Sequence, residues 1–166
     1  MKYNGNRAEN LKIAYIGGGS RGWAWNLMSD LAEEQALGGK VYLYDIDYAA
    51  AKNNETIGNS IKKLHQACDN FEYTATESIA AALSGADFVI ISILPGTFDE
   101  MEVDVHEPEQ YGIYQSVGDT AGPGGIIRAL RTLPMFEEIA LAIKEYCPNA
   151  WVINYTNPMT MCMRML

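Results

Sequence analysis

The apolar stretch Lys12-Ile13-Ala14-Tyr15-Ile16 runs directly into Gly17-Gly18-Gly19-Ser20-Arg21-Gly22, which sets Gly17, Gly19 and Gly22 in the spacing Gly-x-Gly-x-x-Gly. That spacing narrows the fold because each glycine has a physical task. Gly17 allows a tight reversal after a strand, Gly19 lets backbone approach a pyrophosphate with no Cβ in the way, and Gly22 is expected to let the next helix pack close. Amide N–H groups and the positive end of that helix then attract the anion. A glycine-rich turn alone is a weak signal. It gains weight from a strand before it, a helix after it and an acidic residue about 20 positions further on.

All three are present in the sequence. Lys12–Ile16 is short, β-prone and almost wholly apolar, as a parallel strand buried on both faces should be. Trp23 to Leu37 carries Trp23, Leu27 and Leu31 at helical spacing, and Gly38-Gly39 is expected to stop that helix. Val41-Tyr42-Leu43-Tyr44 ends in Asp45, 23 positions after Gly22. A carboxylate there accepts from a ribose 2′-OH and repels a 2′-phosphate, which favours NAD over NADP. Asp47 is the competing candidate, two residues into the loop.

The rest of the chain alternates strand and helix patterns. The expected fold is α/β: a doubly wound, Rossmann-like, mostly parallel sheet. Ala49 to Gln66 reads as a helix with Ile57, Ile61 and Leu64 inward, Phe71 to Ala75 as a strand, and Glu77 to Leu83 as a short helix stopped by Gly85. Phe88 to Ile93 is the strongest strand pattern and leads to Pro95-Gly96, at the sheet edge where ligands of open α/β sheets gather. An acidic segment, Asp99 to Gln110, and a turn-rich loop, Tyr111 to Gly125, follow. A helix then runs to about Tyr146, with Pro134 expected to split or kink it. Ala150 to Ile153 reads as a strand, and Pro158 suits the first turn of a helix from Met159 onward. With 166 residues the expectation is one nucleotide-binding domain, residues 1–166, truncated before a C-terminal substrate domain.

Composition excludes some partners. A net charge of -9, without a basic stripe, argues against nucleic acid and anionic membranes. Cys68, Cys147 and Cys162 have no paired spacing and read as reduced thiols of a cytoplasmic protein. No apolar run approaches the length of a membrane span, and the polar start is not a signal peptide.

Three segments carry more than a generic dinucleotide fold: IGGGSRG at the first turn, VGDTAGPGGIIRALRTLP from Val117 to Pro134, and VINYTNPM from Val152 to Met159. Together they resemble the family 4 glycoside hydrolases, and within that family the α-galacturonidases. The resemblance covers essentially the whole chain. It implies an enzyme that uses NAD and a divalent metal, usually Mn²⁺, to cleave α-galacturonides by redox and elimination: hydride leaves C3, the C2 proton becomes acidic, the glycosidic bond is eliminated, water adds and hydride returns.

Carried onto this chain, the resemblance implies that Gly17, Gly19, Ser20 and Gly22 cradle the pyrophosphate and Asp45 holds the adenosine ribose. Pro95 and Gly96 line the cofactor, and Asn154 lies on its side. Asp119 stands where relatives often have the Glu that raises the basicity of the catalytic tyrosine. Asn157 contacts substrate near the metal. The metal-binding Cys and His and the tyrosine base are expected beyond residue 166, so the chain by itself is expected to be inert. The full-length protein is expected to be a homo-oligomer with a small-molecule sugar substrate.

Other residues leave alternatives open. Arg128 and Arg131, three apart on one helix, offer forked donors to a substrate carboxylate or serve as structural arginines; Arg131 belongs to the shared loop pattern. His106, among Asp104, Glu107 and Glu109, either touches substrate or is a surface histidine. His65 reads as surface, and Cys162 as helix packing rather than a metal ligand. Of Trp23 and Trp25, one is expected in the core. In relatives that process phosphorylated sugars an arginine tends to sit in the segment before the glycine-rich loop; Asp99 to Gln110 has no Arg or Lys, so the resemblance counts against a 6-phosphosugar. Two further functions share the NAD turn: a hydroxy-acid dehydrogenase of the lactate or malate type, and a catalytically inert nucleotide-binding module.

Overall fold

A computed structural model describes residues 1–61, 63, 68 and 70–166. They form two compact units. The first comprises Met1–Ser92 and Ala142–Ile153, the second Ile93–Leu141 and Asn154–Leu166.

The first unit is built on one sheet. Strands β2 (Arg7–Ile16), β3 (Leu37–Tyr44), β4 (Phe71–Thr76), β5 (Phe88–Ile91) and β6 (Trp151–Asn154) lie in the order β4-β3-β2-β5-β6, and β1 (Lys2–Asn4) pairs antiparallel with β2. The β2–β3, β3–β4 and β2–β5 pairs are parallel. The sheet therefore grows from β2 through β3 to β4, then restarts on the other side of β2 with β5. This is the doubly wound order, and its reversal lies beside the glycine turn. Four consecutive residues of β2, Ile13 to Ile16, are buried, so both faces of this strand are covered. The core gathers Leu11, Ile13 and Tyr15 with Val41, Leu43 and Tyr73, and with Ala24, Met28 and Leu31 of α1 (Trp23–Glu33).

Several expected details change. Helix α1 ends at Glu33, and Gly38-Gly39 lies inside β3 instead of stopping the helix. A Cβ on Gly39 would stand 2.0 Å from the Leu11 carbonyl oxygen, so this glycine serves strand contact. Trp23 and Trp25 are both exposed, and Ala24 between them takes the buried position. Helix α2 (Tyr48–Ile61) turns Ala51, Asn54 and Gly58 inward, while Ile57 and Ile61 are half-buried; Leu64 and His65 lie outside the described residues. Small residues face inward because the helix lies close on the sheet: a Cβ on Gly58 would meet the Tyr73 ring at 2.7 Å. Helix α3 (Ile79–Leu83) is capped by the Ser78 side chain, which accepts from the Ala81 N–H.

In the second unit the acidic segment is helical, as α4 (Phe98–His106) followed by a 3₁₀ turn, Glu107–Tyr111. Thr97 and Glu100 form a reciprocal capping box, with Asp99 and Glu100 in the first turn where the helix dipole favours negative charge. Helix α5 (Gly122–Tyr146) passes through Pro134 without splitting, and its last turn belongs to the first unit. Pro134 and Leu130, the residue whose carbonyl loses its helical partner, both stand on the exposed side. Pro158 occupies the N-cap of α6 (Met159–Met165) rather than its first turn. No described helix is long and apolar enough to cross a membrane.

Candidate cofactor and substrate sites

In the first unit the turn after β2 is pressed onto the end of β3. Gly17 has φ +92°, a conformation that favours glycine, and the Gly17 and Gly18 N–H groups both donate to the Tyr44 carbonyl at 2.9 Å. Gly18, which the motif spacing passes over, makes the closest approach: its Cβ would meet Leu43 Cβ at 2.7 Å and Leu43 Cα at 2.8 Å. At Gly19 a Cβ would meet Ala50 Cβ at 2.8 Å and Asp45 Oδ2 at 2.9 Å. Gly22 stands in open space at the N-cap of α1, so the close helix packing expected of it is not seen, and the tight approach in this turn is that of Gly18 on Leu43.

Asp45 stands half-buried just beyond β3. Its Oδ2 accepts from Gly19 N–H at 2.8 Å and its Oδ1 from Asp47 N–H at 3.0 Å, which orients the carboxylate. Asp47 is exposed, and its Oδ1 accepts from Ala50 N–H at 3.1 Å at the start of α2. Ser20 N–H donates to the Gly17 carbonyl at 3.1 Å. The amides of Gly17, Gly19 and Ser20 are thus bonded within the protein. An anion at this turn meets instead the first-turn N–H groups of α1, which have no intrahelical acceptor. A turn whose glycines leave no room for side chains against Leu43, Asp45 and Ala50, with an oriented carboxylate beside it and free first-turn N–H groups of α1, fits a dinucleotide with a free ribose 2′-OH.

In the second unit Asp119, Arg128 and Asn157 come together. The Arg128 guanidinium donates to Asp119 Oδ1, and Asn157 Nδ2 donates to Asp119 Oδ2 at 3.1 Å. Arg128 is buried, and Thr132 Oγ1 bonds its carbonyl at 2.8 Å. Arg131 does not join this group: both its Nη atoms donate to Asp104, which is 5% exposed, and the pair raises the guanidinium's affinity for its proton. The glycines of the loop have a matching reason, since a Cβ on Gly124 would lie 2.3 Å from the Asp104 carbonyl oxygen and one on Gly125 2.5 Å from Thr120. Gly96, with φ +89°, follows the buried Pro95 and precedes the α4 cap.

Asn154 is buried and shapes its own turn. Its Nδ2 donates to the Thr156 carbonyl at 3.0 Å and its Oδ1 accepts from Thr156 N–H at 2.9 Å. Thr156 Oγ1 in turn accepts from Ile93 N–H at 2.9 Å. Cys162 is fully buried, and burial pushes its thiol up to about 11, against the proximity of Arg128. His106 is exposed, with Nδ1 2.8 Å from Glu109 Oε1. Among the described residues no group of three or more His, Cys, Asp and Glu is arranged to hold a metal ion.

Residues 12–166 match the family described as "Family 4 glycosyl hydrolase". The chain belongs to that family. It is 67% identical to the α-galacturonidase of Thermoanaerobacter italicus over all of this chain and 35% of that one. With the α-galacturonidase of Bacillus subtilis it shares 60% identity over 95% of this chain and 34% of that one. A solved 6-phospho-β-glucosidase from Thermotoga maritima, with manganese, NAD⁺ and glucose-6-phosphate, superposes with a TM-score of 0.74 at 30% identity, over 89% of this chain and 35% of that one. The chain spans about a third of the length of the curated relatives it matches.

Proposed function

We propose that this chain is the cofactor-binding part of an NAD- and Mn²⁺-dependent glycosidase acting on α-galacturonides. The observation that carries the reading is the 67% identity to an α-galacturonidase over the whole chain. The chemistry of the cradle agrees with it. When bound, NAD would supply a hydride acceptor and donor for C3 of the sugar, and Mn²⁺ a Lewis acid for the neighbouring oxygens.

The chain's own residues bind and orient. The turn Gly17, Gly19, Ser20 and Gly22 cradles the diphosphate beside the end of α1, and Asp45 accepts from the adenosine ribose and repels a 2′-phosphate. Pro95, Gly96 and Asn154 are assigned to the cofactor on the strength of the family resemblance. Asp119 takes the role of the acid that supports the base, its carboxylate oriented by two donors, Arg128 and Asn157. Asn157 and Arg131 serve the substrate, Arg131 as a guanidinium anchored through both Nη atoms on Asp104. The metal ligands and the base are assigned to the part of the relatives' length that this chain does not span, and the 166-residue chain alone is proposed to bind cofactor without turnover. The free thiols Cys68, Cys147 and Cys162 suit a cytoplasmic enzyme, and we assign the full-length form as a homo-oligomer.

The test is the reaction of the full-length protein with an aryl α-galacturonide, NAD⁺ and Mn²⁺. Release of free galacturonate with no net NADH supports the reading. Stoichiometric NADH from a 2-hydroxy acid, with no cleavage of the galacturonide, would move the protein to the dehydrogenases.

A further inference from the structure

The phosphate turn is held from behind by a residue that the glycine spacing does not point to. Asn54, in the second turn of α2, is 2% exposed. Its Nδ2 donates to the carbonyl of Gly18 at 2.7 Å and to that of Ser20 at 2.9 Å, while its Oδ1 accepts from Trp25 Nε1 at 2.7 Å. An indole N–H only donates, so the oxygen of the amide must face Trp25, and both amide hydrogens then face the turn. Trp25 thereby fixes which way Asn54 points, and Asn54 fixes two carbonyls of the turn.

The consequence is electrostatic. Carbonyl oxygens are the negative ends of the turn's peptide dipoles, and a diphosphate near them is repelled. Asn54 takes up the carbonyls of Gly18 and Ser20, so these dipoles are engaged on the α2 side and an anion beside the turn faces the first-turn N–H groups of α1. We propose that Trp25 and Asn54 are positioning residues for the dinucleotide, holding the turn in its anion-accepting form; this rests on the NAD reading above. Neither side chain has to touch the cofactor. This gives the exposed Trp25 a task that its failure to enter the core leaves open.

Calorimetric titrations of the chain with ADP-ribose and with adenosine, alongside thermal unfolding, test the pair. W25F keeps an aromatic ring and removes the donor; N54A removes the amide; N54D sets an acceptor against both carbonyls. Losing about one hydrogen bond's effect predicts ADP-ribose binding roughly three- to tenfold weaker in W25F and more than about tenfold weaker in N54D, with adenosine binding within about twofold of wild type. Because the indole acts through Asn54, the W25F/N54A double variant binds ADP-ribose no more weakly than N54A. Equal losses for adenosine and ADP-ribose, or additive losses in the double variant, would mark a merely structural pair and overturn the proposal. So would unchanged ADP-ribose binding in folded W25F, which also decides the matter if the Asn54 variants do not fold. If wild type binds neither ADP-ribose nor NAD⁺, the NAD reading falls and takes this inference with it; normal wild-type binding with unaffected variants removes this inference alone.

Discussion

Replacing Arg128 by Met removes the cation on which the Asp119 carboxylate leans. The Arg128 side chain is 9% exposed and that of Asp119 24%, so the pair lies between a buried and a surface ion pair. Breaking a fully buried pair by removing one partner costs about 3–5 kcal/mol, whereas a surface pair contributes about 0–1 kcal/mol. After Arg128→Met, Asp119 retains a neutral donor, Asn157 Nδ2 at 3.1 Å, and some contact with water. These offset part of the desolvation, and the expected loss is about 2–3 kcal/mol. With a urea slope of about 1–3 kcal/mol per molar, the unfolding midpoint falls by roughly 0.7–3 M. Adding Asp119→Asn to the same chain should recover at least about 1 kcal/mol, because the carboxylate left without its cation is gone. Urea unfolding followed by circular dichroism reads both effects. A loss below about 0.5 kcal/mol in Arg128→Met, or no recovery in the double variant, would show instead that the pair is effectively solvated.

Asp45→Ala removes a charged acceptor from the ribose, and NAD⁺ binding should weaken by roughly ten- to a hundredfold while discrimination against NADP⁺ collapses, as read by calorimetry with both nucleotides. Gly18→Ala forces a methyl against Leu43 Cβ and Cα and should destabilise the protein by about 1–3 kcal/mol in urea unfolding, more than Gly22→Ala, whose new methyl meets open space. Burial keeps the Cys162 thiol protonated, up to about 11, so iodoacetamide at pH 8 should label Cys68 before Cys162, as peptide mass spectrometry would show. The same shift sets a sign for stability: the folded thiol loses its proton later than the unfolded one, so this contribution is complete below pH 9 and declines as pH climbs toward 11. A pH profile of the urea midpoint checks it, and a rising midpoint through that range in wild type, absent from Cys162→Ala, would contradict it.

The sheet was legible in the sequence because its strands are short apolar runs punctuated by glycine, and the acid after β3 is tied to the glycine turn by a fixed chain distance. What was not legible depends on who approaches whom. Gly39 looks like a helix stop until Leu11 is seen beside it, and Gly18 looks like filler until Leu43 lies beneath it. The inward face of α2 is made of Ala51, Asn54 and Gly58, residues that hydropathy ranks below Ile57 and Ile61, because a helix packed this close leaves no room for larger side chains. Helix α4 had a sequence signal, Thr97 with Glu100 three residues on, which the high local charge obscured. At the second site the segments were legible and the partners were not: two arginines three apart look equivalent, yet one bonds Asp119 and the other Asp104. Asn54 carries no motif at all. A donor at one residue and two carbonyls at others define it, and those meet only in the folded chain.

On the proposed reading, the glycine turn and Asp45 hold NAD. Titration of the folded 166-residue chain with NAD⁺ in a calorimeter tests it most directly. One saturable site per chain, with NADP⁺ bound at least about tenfold more weakly, is the predicted result. Absence of binding heat at several temperatures, with no ligand-induced rise in the unfolding midpoint, would contradict it.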